Sequence, residues 1–275
     1  MIKDILLNIA VGLREDGTIA YALSLAGAFE AHLAAVAFAY EPVPAAMLVD
    51  EVPLTVIDEL RRDAEAAAQA AVEKFNQAAR GAGIAAAART VATSFIGTAD
   101  MFGRMARRFD LSVVRQAEPG KSTPAPLIIE AALFETGRPV LIVPYIQKGD
   151  LKLDRVMVAW DASRSAARAV NDAMPFLARA GLVEVVVVAE HGKDEELPAA
   201  DLAGHLARHG VKVGVKPVVA PATKVADVLL SHAADSAADL LVMGGFGHSR
   251  LREFVLGGVT RGILEAMTVP TLMAH

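Results

Sequence analysis

The sequence predicts an α/β protein made of two doubly wound five-stranded parallel-sheet domains related by a pseudo-twofold axis. Three observations carry that expectation. Short apolar runs alternate with helix-like stretches along all 275 residues, the pattern of parallel strands covered by helices on both faces. The series of elements runs through twice. Pro139 and Pro270 occupy the same place, at the head of the last strand of each copy.

Each element has its counterpart in the other copy. "KDILLNIAVG" and "LDRVMVAWDAS" are the first strands, followed by helices over 17–31 and 164–179. "AHLAAVAFAY" and "VEVVVVAE" are the second strands, and Ala-rich helices follow over 57–82 and 199–209. Gly210 reads as the stop of the latter. "AAARTVAT" and "VKVGVKPVVA" are the third strands, "DLSVVR" and "DLLVMGG" the fourth, "RPVLIVPYI" and "VPTLMAH" the fifth. The strands read as too uniformly apolar to have a wet face. Crossovers between parallel strands are right-handed. The join falls in the short polar stretch 145–154, which divides the chain into domains 1–148 and 149–275, each of ordinary size. The terminal strands "PVLIVP" and "PTLMAH" would be exposed apolar edges unless they pair with each other, antiparallel, and so close the two halves into one unit.

Composition narrows the function. Hydrophobic residues make up 54% of the chain and the net charge is -5, with no block of like charge. A nucleic-acid or membrane-surface role gains no support from this. There is no cysteine, so disulfides and thiolate metal sites are excluded and a reducing compartment is the expectation. The N-terminus lacks the pattern of a signal peptide, and no apolar run reaches the roughly 18 residues of a membrane span. The reading is a cytoplasmic protein.

The most informative stretch is "LLVMGGFGHSRLREFVLGGVTRGIL", residues 240–264. Gly244 and Gly245 follow a buried strand, where a missing Cβ lets backbone lie against a ligand. Gly257 and Gly258 open a helix, whose first N–H groups accept phosphate. Two glycine turns then bracket one anion, with His248, Ser249, Arg250 and Arg252 on the loop between them.

The spacing Gly244-x2-Gly247-x9-Gly257 resembles the ATP-binding signature of the universal stress protein family, and the two copies resemble two such domains in tandem, with the adenine nucleotide alpha hydrolase-like fold. The family's motif continues with Ser or Thr, where this chain has Gly258. The Gly258 backbone N–H remains, and Thr260 would partly substitute for the hydroxyl. "VAWDAS" matches the family's first-strand ending through Asp161, Ala162 and Ser163. The resemblance implies that Asp161 lies against the adenosine, that the second-strand end at Val187 or Val188 meets adenine through backbone, and that Met243, Gly244, Gly247, His248, Gly257, Gly258, Val259 and Thr260 form the rest of the site. It implies ATP or another adenine nucleotide as ligand, with Mg²⁺ arriving on the phosphates rather than in a protein cage.

The first copy departs from the pattern. Ala10 stands where Asp161 does, Arg115 replaces Gly244, and Pro126 and Leu127 replace Gly257 and Gly258. One nucleotide site per chain is expected, in the second half. Arg115 is alternatively a holder of a different small anion.

Other motifs carry less. "PGKST" at 119–123 lacks the leading glycine of a phosphate loop, and Pro124 and Pro126 obstruct the helix such a loop needs. His205 and His209 have metal-ligand spacing but read as a solvated face at a helix C-terminus. Trp160 is expected on the opposite face from Asp161. No nucleophile–base–orienter set and no pair of catalytic carboxylates is readable. The expectation is therefore a stress-response or regulatory protein that binds an adenine nucleotide and has a protein partner the sequence does not name. It is an intramolecular pseudo-dimer, with a homodimer of chains left open. A scaffold with a vestigial site and a slow ATPase are the alternatives.

Overall fold

A computed structural model describes residues 1–13, 16–40, 54–189, 196–219, 225–245 and 258–275. The first half runs β1 (Asp4–Ile9), α1 (Gly17–Phe29), β2 (His32–Tyr40), α2 (Leu54–Ala82), β3 (Ala86–Thr93), α3 (Gly97–Ala106), β4 (Leu111–Arg115), α4 (Ala125–Glu135) and β5 (Val140–Val143). The second runs β6 (Arg155–Ala159), α5 (Arg164–Leu177), β7 (Leu182–Ala189), α6 (Glu196–Arg208), β8 (Val213–Val219), α7 (Val225–Asp235), β9 (Leu240–Gly244), α8 (Gly258–Ala266) and β10 (Thr271–Ala274).

These strands form one ten-stranded sheet in the order β3-β2-β1-β4-β5-β10-β9-β6-β7-β8. Every pairing is parallel except the central one, where Leu141 lies opposite Leu272 in an antiparallel β5–β10 ladder. The order reads the same from either edge, as a twofold at that junction requires. The apolar terminal strands thus cover each other, as their sequence predicts, and all four residues of each are buried.

Hydrogen bonds repeat with the fold. Asp110 Oδ2 accepts from Lys3 and Asp4 N–H at 2.8 and 3.1 Å, and Asp239 Oδ2 accepts from Arg155 N–H at 2.9 Å. Gln116 N–H donates to Val143 at 2.8 Å, and Gly245 N–H to Ala274 at 2.9 Å. Arg115 and Gln116 are therefore the structural counterparts of Gly244 and Gly245.

One expectation is corrected at the edges. β3 and β8 are half wet: only Ala86, Ala88, Val91 and Thr93 of β3 and Val213 and Val218 of β8 are even partly buried. Each is paired on one side only. Arg89, Lys216 and Pro217 lie in these strands, residue types that discourage pairing with another chain.

Helices cover both faces. α2 buries one stripe, Ala68, Val72, Phe75 and Ala79, at helical spacing. α6 ends at Arg208, and Gly210 takes φ +79° just beyond it, the left-handed stop its sequence predicts. α1 and α5 pack across the two halves, with Phe29 and Phe176 edge to face at 4.9 Å and the Arg179 guanidinium 4.1 Å over the Phe29 ring. The segment joining the halves is tied to α1, where Leu151 N–H donates to Ser24 Oγ at 3.1 Å. Among the described residues, no helix is long and apolar enough to cross a membrane.

Candidate functional site

Parallel α/β sheets receive ligands at the carboxyl ends of strands, where strand order reverses. In the second half that point lies between β6 and β9, which run side by side to Ala159↔Met243. β7 continues beyond β6: the β6–β7 register ends at Ala159↔Val186, while β7 pairs with β8 as far as Ala189. The backbone at Val187 and Val188 therefore overhangs the end of β6, although the Val187 side chain is in the core at 6% exposure.

The turn after β6 is closely specified. Asp161 Oδ1 accepts from Ser163 N–H at 3.0 Å, and Ser163 Oγ accepts from Ala166 N–H at 3.1 Å, capping α5. Ser163 Oγ also meets Ser165 Oγ at 3.1 Å. Between them Ala162 holds φ +57°, a left-handed conformation costing an L-residue roughly 1–2 kcal/mol. Strain of this kind clusters where a loop serves a ligand. Asp161 is exposed, while Trp160 packs toward the core, the opposite orientations strand alternation predicts. The result is an exposed carboxylate beside a capped helix N-terminus that carries partial positive charge.

The β9 side is shaped by close packing. A Cβ on Gly244 would lie 2.5 Å from Ala166 N and 2.7 Å from Ser165 C. β9 thus touches the first turn of α5, and this glycine is required by the fold whatever it does for a ligand. A Cβ on Gly245 would meet Leu133 of α4 at 3.2 Å. His275 Nδ1 lies 3.0 Å from Gly245 O, and its ring packs edge to face on Phe134 at 4.9 Å. Met243 is 5% exposed and belongs to the core.

α8 begins at Gly258, which is exposed, with open space where a Cβ would stand. Val259 is half-buried, and Thr260 is 4% exposed. Gly247, His248, Ser249, Arg250, Arg252 and Gly257 lie outside the described residues. Asp161, Val187, Met243, Gly244, Gly258, Val259 and Thr260 are described. Hollows of about 450 Å³ between α2 and β2–β3, and about 780 Å³ along α5 and the amino ends of β1 and β4, both lie away from this crevice.

In the first half the equivalent strand end carries a cluster of charged side chains. The Arg115 guanidinium lies 3.8 Å from Asp16 and 3.6 Å from Glu118, donates to Tyr145 O at 3.3 Å, and sits 5.9 Å over the Tyr145 ring. Asp16 is the N-cap of α1, with a side chain only 3% exposed. The hydrogen bond from Lys121, at 2.8 Å, together with Arg115 holds the Glu118 carboxyl below its ordinary pKa. Arg115 is thus already partnered by protein groups, which bears against its holding a small anion. "PGKST" forms a turn with Gly120 at φ +75°, and α4 starts behind Pro124. The His205 and His209 rings stack edge to face at 4.8 Å, and among the described residues no three His, Asp or Glu side chains gather as a metal site.

Sequence reasoning passed over Ser165, Ala162 as a strained position, and Gln116. The first two carry a faint signal, since a capped helix start directly after a strand is readable. Gln116 carries none, because its partners in α8 lie 148 and 149 positions away.

Comparison with known proteins gives this geometry a setting. Residues 152–275 match the sequence model of the universal stress protein family. A universal stress protein of Synechocystis sp. is 29% identical over 151 residues, 52% of this chain, and the match spans 49%, about half, of that relative. A universal stress protein from Archaeoglobus fulgidus superposes with a TM-score of 0.70 at 19% identity, covering 98% of this chain and 95% of that one. A functionally unknown protein from Pseudomonas aeruginosa does so at 0.65 and 15%, covering 99% and 92%. The second half, residues 152–275, thus matches the universal stress protein family by sequence, and the fold of these solved structures runs through both halves of the chain.

Proposed function

We propose that this chain binds ATP or a related adenine nucleotide in its second half and serves as a stress-response or regulatory module, acting by binding rather than by turnover. One observation carries the reading. At the switch point between β6 and β9, an exposed Asp161 stands beside a Ser163-capped helix start, inside the region that matches the universal stress protein model.

In this reading Asp161 accepts hydrogen bonds from the adenosine part, and the overhanging backbone at Val187 and Val188 meets adenine. Gly244 and the N-terminus of α8 at Gly258 and Val259 flank the phosphates, with Gly247, His248 and Gly257 contributing from the stretch of sequence between them. Mg²⁺ accompanies the phosphates. The first half is a structural partner whose crevice Arg115, Asp16 and Glu118 occupy, so one nucleotide binds per chain. The location is cytoplasmic, and a protein partner reads the nucleotide state.

A second reading, a scaffold with a vestigial site, draws on two observations. Gly258 supplies no hydroxyl, and Gly244 is already explained by its contact with α5. Analysis of nucleotide that copurifies with the protein, followed by calorimetry, separates the two. Micromolar or tighter binding that weakens in Asp161→Ala by about 1.5–3 kcal/mol, as for a charge-assisted hydrogen bond, supports the first. Absence of binding leaves the scaffold, and phosphate release with turnover would establish the slow ATPase instead.

A further inference from the structure

Gln116 is 1% exposed and lies at the junction of the two halves. Its Nε2 donates to the carbonyls of Leu264 at 2.9 Å and Glu265 at 3.4 Å, in the last turn of α8. Its Oε1 accepts from Tyr145 N–H at 3.2 Å, which fixes which end of the amide is which. The neighbouring Arg115 holds the other side of the same residue through Tyr145 O. The end of β4 in the first half is thereby tied to the start of the joining segment and to the C-terminal carbonyls of a helix in the second half. Those carbonyls have no partner within the helix.

The arrangement is one-sided. The counterpart of Gln116 is Gly245, and the counterpart of Leu264 is Leu133. Where the Gln116 amide meets the Leu264 carbonyl, the Leu133 side chain fills the corresponding space, 3.2 Å from where a Cβ on Gly245 would stand. No reciprocal side chain at that position reaches α4 from the second half.

We propose that Gln116 is a positioning residue, through which the first half sets α8 and so the helix N-terminus that the nucleotide reading puts beside the phosphates. The ionic cluster of Arg115, Asp16 and Glu118 in the first-half crevice anchors this clamp through Tyr145. The link to ligand rests on the nucleotide reading above; the link to α8 does not.

Hydrogen exchange of α8 in the ligand-free protein tests the clamp directly, and nucleotide affinity tests its consequence. In Gln116→Leu, which keeps the bulk and removes the donor, amide protection in 258–266 is expected to fall about tenfold and the nucleotide Kd to rise about tenfold, the scale of a lost buried hydrogen bond. Gln116→Glu adds a readout that packing alone would not move. Its ionised carboxylate still accepts from Tyr145 N–H but repels the Leu264 and Glu265 carbonyls. Once protonated it can donate to one of them. Protection factors of α8 in Gln116→Glu should therefore recover as pH falls from 7 to 5, while those of the parent protein, with Arg115, Glu118 and the Arg261–Glu265 pair unchanged, do not. If Gln116→Leu fails to fold, this second variant decides. Protection of α8 equal to the parent at pH 7 in either folded variant, or low but indifferent to pH in Gln116→Glu, overturns the proposal. Weakened α8 with no nucleotide bound by the parent protein would leave the clamp standing and refute only the nucleotide reading.

Discussion

Replacing Gly244 by alanine puts a methyl group where α5 begins. The new Cβ would stand 2.5 Å from Ala166 N and 2.7 Å from Ser165 C, against the 3.4 Å at which ordinary contact starts. The overlap is about 0.7–0.9 Å and falls on backbone, which cannot turn aside as a flexible side chain can. Overpacking of a well-filled interior costs about 1–3 kcal/mol, and a rigid neighbour puts this case near 3 kcal/mol. For a chain of this size that lowers Tm by roughly 6–12 °C. Gly258→Ala is the internal control. A Cβ there meets nothing within 4 Å, and alanine is the better helix former, so Tm should hold or rise with a gain of up to about 1 kcal/mol. Thermal and urea unfolding followed by circular dichroism measure both. A Gly244→Ala protein that melts with the parent and loses only nucleotide affinity would refute the packing argument. It would restore the simpler view, drawn from the motif alone, that this glycine serves the phosphates and the fold survives its loss.

Three further outcomes follow from the same geometry. Equilibrium dialysis at saturating labelled ATP should give one nucleotide per chain; two, with the second lost in Arg115→Ala, would show the first-half crevice to be open. Gly258→Ser should tighten nucleotide binding, because open space receives the hydroxyl; unchanged affinity would mean that the position does not face the phosphates. Acid should loosen the first-half cluster. The folded pKa of Glu118 lies below its ordinary value of 4.5, chiefly through the Lys121 hydrogen bond. Its contribution is complete above 4.5 and is lost as pH falls through the lowered folded value. A Glu118→Gln variant should accordingly show a shallower decline of stability below pH 4.5, and an unchanged acid profile would remove Glu118 from the account.

The order of elements, the repeat and the pairing of the two terminal strands were determined by the sequence itself. These features depend on runs of neighbouring residues: the apolar stretches 140–143 and 271–274, and the alternation of strand and helix patterns that repeats from 155 onward. Gly210 ends α6 for an equally local reason, since a residue at φ +79° favours glycine. Asp161 and Ser163 were legible because the whole device, strand end, turn and helix cap, spans a few positions. What the tertiary structure alone decided involves residues distant in the chain. β3 and β8 are wet because they are sheet edges, and edge position follows from strand order rather than composition. Gly244 is a glycine because β9 meets α5 nearly 80 residues earlier in sequence. Arg115 finds Asp16 and Tyr145 only once β4, α1 and the joining segment come together. Gln116 crosses 148 positions to reach Leu264. Periodicity records which face of an element is buried, but it does not record what that face touches.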